Sequence, residues 1–175
     1  MKEELEINNG ALSLSFFADE KLFLKVAENQ KLLSLLKSLS EAFEQHYLEF
    51  KLRPGVKMNF NLELVDANRI QGINKEHRAM DKATDVLSFG LYENFIQEHT
   101  HENLPFFELG DVLICDEVCQ KQAVLHTIDY ADEFIHLCVH GLLHLLGFDH
   151  ERGVTEDQIM RRYESRIIDS LQPSK

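Results

Sequence analysis

Residues 140–150 read His-Gly-Leu-Leu-His-Leu-Leu-Gly-Phe-Asp-His, and the rest of the chain has to be organised around them. Two histidines four apart lie on the same face of a helix, one turn separating them. Gly147 sits where that helix would end, because glycine accepts the left-handed conformation that turns a chain away. The turn carries His150 back beside the first two rings. Three imidazoles then converge from one side on a small volume and leave the other side open, which is the ligand set of a catalytic zinc site. The bland alternative is a group of packed core histidines. His150 carries most of the weight against it, since an i,i+4 histidine pair alone is a weak signal.

The spacing H-x3-H-x2-G-x2-H matches the metzincin zinc pattern except at one position. Those proteases carry Glu directly after the first histidine as general base; here Gly141 stands there, so a protease would lack its base. Zinc held by three imidazoles keeps a fourth position for water and lowers the pKa of that water to roughly 7. The ion can also hold a phosphoryl oxygen as the phosphorus is attacked. The base is then either that water itself or a carboxylate from another segment. His136, one turn before His140, reads as a neighbour of the metal ligands, a substrate contact or a satisfied core histidine. Asp149 reads as a carboxylate that orients a ligand ring or as a local cap of the turn. Arg78 is a candidate for stabilising a scissile phosphate, because a guanidinium fork fits two phosphate oxygens; it reads equally well as a surface arginine at a helix end.

Taken in order, residues 4–17 alternate apolar and polar around Asn8-Asn9-Gly10, as one strand or as two with a tight turn. Asp19 can cap a helical region in which Leu32, Leu35, Leu36, Leu39, Phe43, Tyr47 and Phe50 keep helical spacing until Pro54-Gly55. Val56, Met58, Phe60, Leu62 and Leu64 then alternate with Lys57, Asn59, Asn61 and Glu63, which predicts a strand with one core face and one wet face. Asp66 opens a short helix with Ile70 and Ile73 inside. A polar loop over 78–84 leads to a strand at 86–89, and an acidic loop from Glu93 to Glu108 carries His99 and His101, read as exposed loop histidines. Leu109 to Cys115 is a strand, Asp116 caps the next helix, and residues 131–146 form a buried metal helix that is apolar nearly all round. Thr155-Glu156-Asp157-Gln158 reads as a capping box ahead of a last helix with Ile159, Tyr163, Ile167 and Leu171 inward and Pro173 closing it. The order β-α-β-α-β-β-α-α-α predicts an α+β single domain over 1–175: a small mixed sheet of about four strands covered by helices, with a central buried metal-binding helix carrying the metzincin-like zinc motif.

The chain of 175 residues is long enough to bury a core without staples. Its acidic start, without a following apolar stretch, predicts no secretory signal, and no apolar run approaches a membrane span. Cys115, Cys119 and Cys138 sit in apolar contexts and read as reduced, buried thiols of a cytosolic protein. A net charge of −12 argues against coating nucleic acid by bulk electrostatics. The charge is uneven: residues 51–82 hold seven Lys/Arg against four acids, whereas 83–150 hold Lys121 alone against twelve. A local basic patch for RNA and ordinary surface variation explain that segment equally well.

The run HGLLHLLGFDH, with ATDVLSF at 83–89 and LGDVLIC at 109–115, resembles the YbeY family of bacterial rRNA-maturation endoribonucleases, in the family's order and over residues 56 to 168. Ala83 and Gly90 stand where that family usually has proline. The resemblance implies a zinc-dependent, single-strand-specific endoribonuclease of rRNA processing, acting at the 16S rRNA 3′ end and in ribosome quality control. It implies one zinc per chain held by His140, His144 and His150, and it makes Arg78, at the end of the N-x-x-x-R segment from Asn74, the catalytic residue. Precursor rRNA and the ribosome or its small subunit are the implied partners of a cytoplasmic monomer with no membrane contact. A metallopeptidase-like hydrolase and a non-catalytic, zinc-stabilised ribosome-associated factor are the alternatives.

Overall fold

The cleanest alternation in the chain becomes the central strand of the sheet. In β3 (Lys57–Val65), Met58, Phe60, Leu62 and Leu64 are buried, and the residues between them face a polar surface. The computed structural model describes residues 2–46, 49–50, 52, 55–98, 104–150 and 153–171. His99 and His101, Tyr47, Pro54, Pro173, Lys51 and Arg53 lie outside them. Five strands form one mixed sheet in the order β1-β2-β3-β5-β4, with β1 (Lys2–Asn9), β2 (Leu12–Asp19), β4 (Val86–Gly90) and β5 (Phe106–Cys115). The inner three, β2, β3 and β5, are parallel; β1 and β4 run antiparallel along the edges. The sheet has one strand more than the expected four because Gly10, at φ +90°, turns residues 2–19 into a hairpin.

Helices α1 (Glu20–Ala27), α2 (Gln30–Glu44) and α6 (Tyr130–Leu145) bury one face of the sheet in the main core, and α7 (Val154–Leu171) joins that core by packing on α2 and α6. α3 (Ala67–Arg78) covers a smaller cluster on the other face, built from Val65, Ile70, Leu87, Leu113 and Cys115. Asp19 and Asp66 cap α1 and α3, accepting from Leu22 N and Arg69 N. The long helical region after Asp19 is two helices, because the Asn29 side chain accepts from Leu32 N and starts α2 afresh.

Three local expectations need correction. Asp116 does not cap α5 (Asp116–His126): it is the first helical residue, buried, and its carboxylate takes Lys25 and the Tyr130 hydroxyl instead. The capping box is not formed, since α7 is already under way at Val154 and Asp157 N donates to Gly153 O. With that frame, Met160 rather than Ile159 turns inward. The acidic loop also holds a short helix, α4 (Phe95–Glu98), pinned by buried Phe95 against the rings of Tyr92 and Phe107.

One irregularity places the site. Phe60 of β3 faces both Leu109 and Gly110 of β5, a bulge at which Gly110 takes φ +128°. The bulge moves β5 over by one residue, so that Phe107 and Leu109 before it and Val112 and Ile114 after it share the α6 face. Helix α6 packs on β4 and β5 and touches α2, α5 and α7, so it is surrounded as its all-round apolar pattern predicts.

Candidate metal centre and its cleft

Helix α6 is buried along most of its length, and the less buried exceptions include His136, His140 and His144, spaced by four along one side. The helix ends in a Schellman turn, with Gly147 N donating to His144 O and Phe148 N to Leu143 O. Gly147 has φ +96°, and an added Cβ would lie 3.0 Å from the backbone of Asn94. This turn returns His150 to the other two histidines. The ring centroids are 4.8 Å apart for His140–His144, 5.3 Å for His140–His150 and 5.1 Å for His144–His150. One nitrogen from each ring lies within 4.8 Å of the others.

The chemistry of this donor set fits a cation. Nε2 of His140 and Nε2 of His144 are 3.2 Å apart. Two ligand atoms on a tetrahedral ion with bonds of about 2.0–2.1 Å stand about 3.3 Å apart. Nδ1 of His150 is buried with no hydrogen-bond partner among the described residues. Burial, followed by repulsion from His140 and His150 whenever those rings carry a proton, pushes His144 down to about 4, so its ring is neutral and offers a lone pair at neutral pH.

The three rings open onto a cleft of about 410 Å³. Arg78 and Lys82 line it from the end of α3 and the loop beyond, Asp85 and Ser88 from β4 and its approach, and His126 and His136 from α5 and α6. Arg78 is exposed and sits where α3 stops. Ala79 takes the left-handed φ +56°, its N–H returns to Asn74 O, and the fully buried Asn74 donates Nδ2 to Lys82 O. Of the basic residues in this segment, Arg69 is paired with Glu63 and Lys75 with Asp81. Arg78 and Lys82 are the two that line the cleft. Arg78 also borders an adjoining pocket of about 160 Å³, shared with His144 and Asp149. Asp149 is therefore beside the site, and its charge acts on His144.

Gly141 faces the sheet. A Cβ there would meet Val112 Cγ1 at 2.5 Å and Ser88 Oγ at 3.1 Å, so the position that carries Glu in metzincins has no room for a side chain. Asp85 is counteracted in the opposite sense by two influences. Burial raises its pKa, while hydrogen bonds from Gln122, the Val86 N–H and Thr84 outweigh it and hold the carboxyl below its usual range.

A profile of the family described as Endoribonuclease YbeY matches residues 23–172. The chain belongs to the YbeY family. The Endoribonuclease YbeY of Leptospira interrogans is 40% identical over 121 residues, which cover 64% of this chain and 86% of that protein. That of Desulforamulus reducens is 42% identical over 114 residues, covering 63% and 70%. The solution structure of TM1509 from Thermotoga maritima has the same fold at a TM-score of 0.51 and 26% identity, covering 78% of this chain and 81% of that one. In this YbeY-family chain, Gly90 at the end of β4, one of its two departures from the usual family proline, pairs with Gly110 at the bulge.

One residue at the site escaped sequence reasoning. Glu164 of α7 reaches His140 Nδ1 with Oε1 at 2.9 Å and His136 Nε2 with Oε2 at 3.3 Å. Burial opposes its charge, but the hydrogen bonds from His136 and His140 prevail and hold the carboxyl down at about 2. The same contact raises His136. No local pattern marked it: Glu164 lies one turn after Met160 and three residues before Ile167, and only the packing of α7 shows that Met160 is buried there with Ile167.

Proposed function

We propose that this chain is a zinc-dependent endoribonuclease, with one ion per chain held by His140, His144 and His150 and with Arg78 acting on the scissile phosphate. The observation that carries the reading is that the three imidazoles and the guanidinium open onto one cleft. Bound zinc supplies a Lewis acid and an acidified water. The protein's own groups do the rest. Arg78, at the rim, presents two parallel N–H donors to non-bridging phosphate oxygens and offsets the charge that builds there. Lys82 adds positive charge along the strand's path. His136 lines the cleft beside the ligands and is positioned to contact substrate, while Asp149 biases His144 electrostatically. Gly141 leaves no protease-type base beside the ligands, which weighs against peptide hydrolysis.

A cleft of about 410 Å³ has the size of a small-molecule site. It suits one splayed unit of a single strand better than a duplex, whose bases stay stacked and paired. The whole of residues 1–175 serves as one endoribonuclease domain in this reading. Its substrate is precursor rRNA at the small ribosomal subunit, including the 16S 3′ end, and it acts as a cytoplasmic monomer in rRNA maturation and ribosome quality control. No helix among the described residues is long and apolar enough to cross a membrane.

The test is metal content and cleavage together. Purified protein is expected to hold about one zinc per chain and to cut a single-stranded RNA far faster than the same sequence in a duplex. His144→Ala should lose both the zinc and the cleavage. Full cleavage by a zinc-free His144→Ala protein would overturn the reading.

A further inference from the structure

We infer that Glu164 is the positioning residue of the metal centre, a carboxylate from α7 that sets the tautomer and angle of His140 while holding His136 in the cleft. The inference rests on the reading of His140 as a metal ligand. Each carboxylate oxygen takes one ring: Oε1 lies 2.9 Å from His140 Nδ1 and Oε2 3.3 Å from His136 Nε2. An ionised carboxylate only accepts hydrogen bonds. In the neutral form of the His140 ring the proton therefore sits on Nδ1 and the lone pair on Nε2. That is the nitrogen that stands 3.2 Å from His144 Nε2, on the side where the three rings meet. The Glu164 side chain keeps only 13% of its exposure, so the pairing is not diluted by water as a surface pair is.

The same geometry excludes a second role. Glu164 lies against the Nδ1 side of His140, away from the converging nitrogens, with both oxygens engaged. It is a carboxylate from another segment near the metal ligands, yet it is turned to the back of the ring and does not serve as the base that Gly141 fails to supply. His136, joined to it through Nε2, is held with its ring lining the cleft and 40% of its side chain exposed. One acid thus fixes a metal ligand and a neighbouring cleft residue together. The price of losing it falls on both.

The test compares wild type, Glu164→Gln and Glu164→Ala. Zinc affinity is read by competition with a chromogenic chelator, metal-free stability by denaturant unfolding, and the histidine ring tautomers by ¹⁵N NMR of the metal-free proteins. Removing a carboxylate behind a metal-bound histidine weakens metal binding by about 10–100-fold. Glu164→Ala should show a loss of that size, with the His140 ring released from its Nδ1–H form into a mixture. Glu164→Gln keeps an acceptor oxygen without the charge and should fall between the two, with metal-free unfolding close to wild type. Zinc affinity within twofold of wild type in Glu164→Gln and Glu164→Ala overturns the inference. So does an unchanged tautomer, or a loss of zinc matched by an equal loss of metal-free stability, which would make Glu164 a staple between α6 and α7. If Glu164→Ala does not fold, Glu164→Gln decides alone. Wild-type protein that takes up no zinc overturns the metal reading and this inference together, whereas zinc-binding wild type with unaffected variants overturns this inference only.

Discussion

At Arg78 a single side chain separates two accounts of how the cleft treats RNA. The residue is the last of α3, exposed, and held at the rim by a left-handed Ala79 and the buried Asn74 rather than by an ion pair of its own among the described residues. A guanidinium so placed can stabilise charge developing on phosphate. Arg78→Ala is then expected to keep zinc content and folding while slowing single-turnover cleavage by about 10²–10³-fold, the scale for one preorganised donor. Arg78→Lys should recover only part of the rate, because an ammonium lacks the bidentate fork. An arginine that merely attracts the backbone predicts weaker binding and a salt dependence flattened by about one unit of slope, at an unchanged saturated rate. Single-turnover cleavage at saturating enzyme and two salt concentrations separates them. A full rate in Arg78→Ala would leave the histidine centre to carry the reaction without it.

Between elements, the decisive contact is α6 on β5. Helix and strand approach so closely at Gly141 that Val112 occupies the place of a side chain. Val112 is fully buried and β-branched, so it cannot swing aside cheaply. Gly141→Ala gains about 1 kcal/mol of helix propensity. The overpacked contact is expected to cost about 1–3 kcal/mol, so the net change in denaturant midpoint should be a loss at unchanged m-value. Because His140 precedes this contact and His144 follows it by less than a turn, zinc affinity should fall with stability. A variant more stable than wild type would mean that α6 is free to lift from the sheet.

For the molecule as a whole, the centre joins three parts of the chain. His140 and His144 come from α6, His150 from beyond the Gly147 turn, and Glu164 ties α7 to the same ring. The unfolded chain holds no such arrangement, so a metal bound by the three histidines would add to folding stability. Free zinc at 100 times its dissociation constant contributes about 2.7 kcal/mol, which for a chain of this size shifts the melting temperature by roughly 5–10 °C. Calorimetry with and without a chelator should show that drop and its reversal by added zinc. A melting temperature indifferent to chelation would deny the centre any part in holding α6 and the following turn together.

The periodic features were legible in the residues. The alternation of β3, the helical spacing of His140 and His144, the helix-ending Gly147 and the all-round apolar character of α6 each follow from local geometry, and each formed as read. Local rules failed where a distant residue competed or where a helix began earlier than its cap signal. Asp116 has the form of a cap but is claimed by Lys25 and Tyr130, and Thr155 heads a capping-box pattern inside a helix that had already begun. The hairpin of β1 and β2 was one of two readings, because a turn signal does not say whether its flanks will pair. The role of Glu164 was beyond reach, since an acid 24 residues from His140 becomes its partner only when α7 packs on α6. Spacing along the chain thus determined which side chains share a face, because backbone periodicity is a local property. Which faces meet, and so which carboxylate stands behind His140 and why Gly141 can carry no side chain, was decided by tertiary packing, where contacts between residues far apart in sequence come from the shape of the whole core.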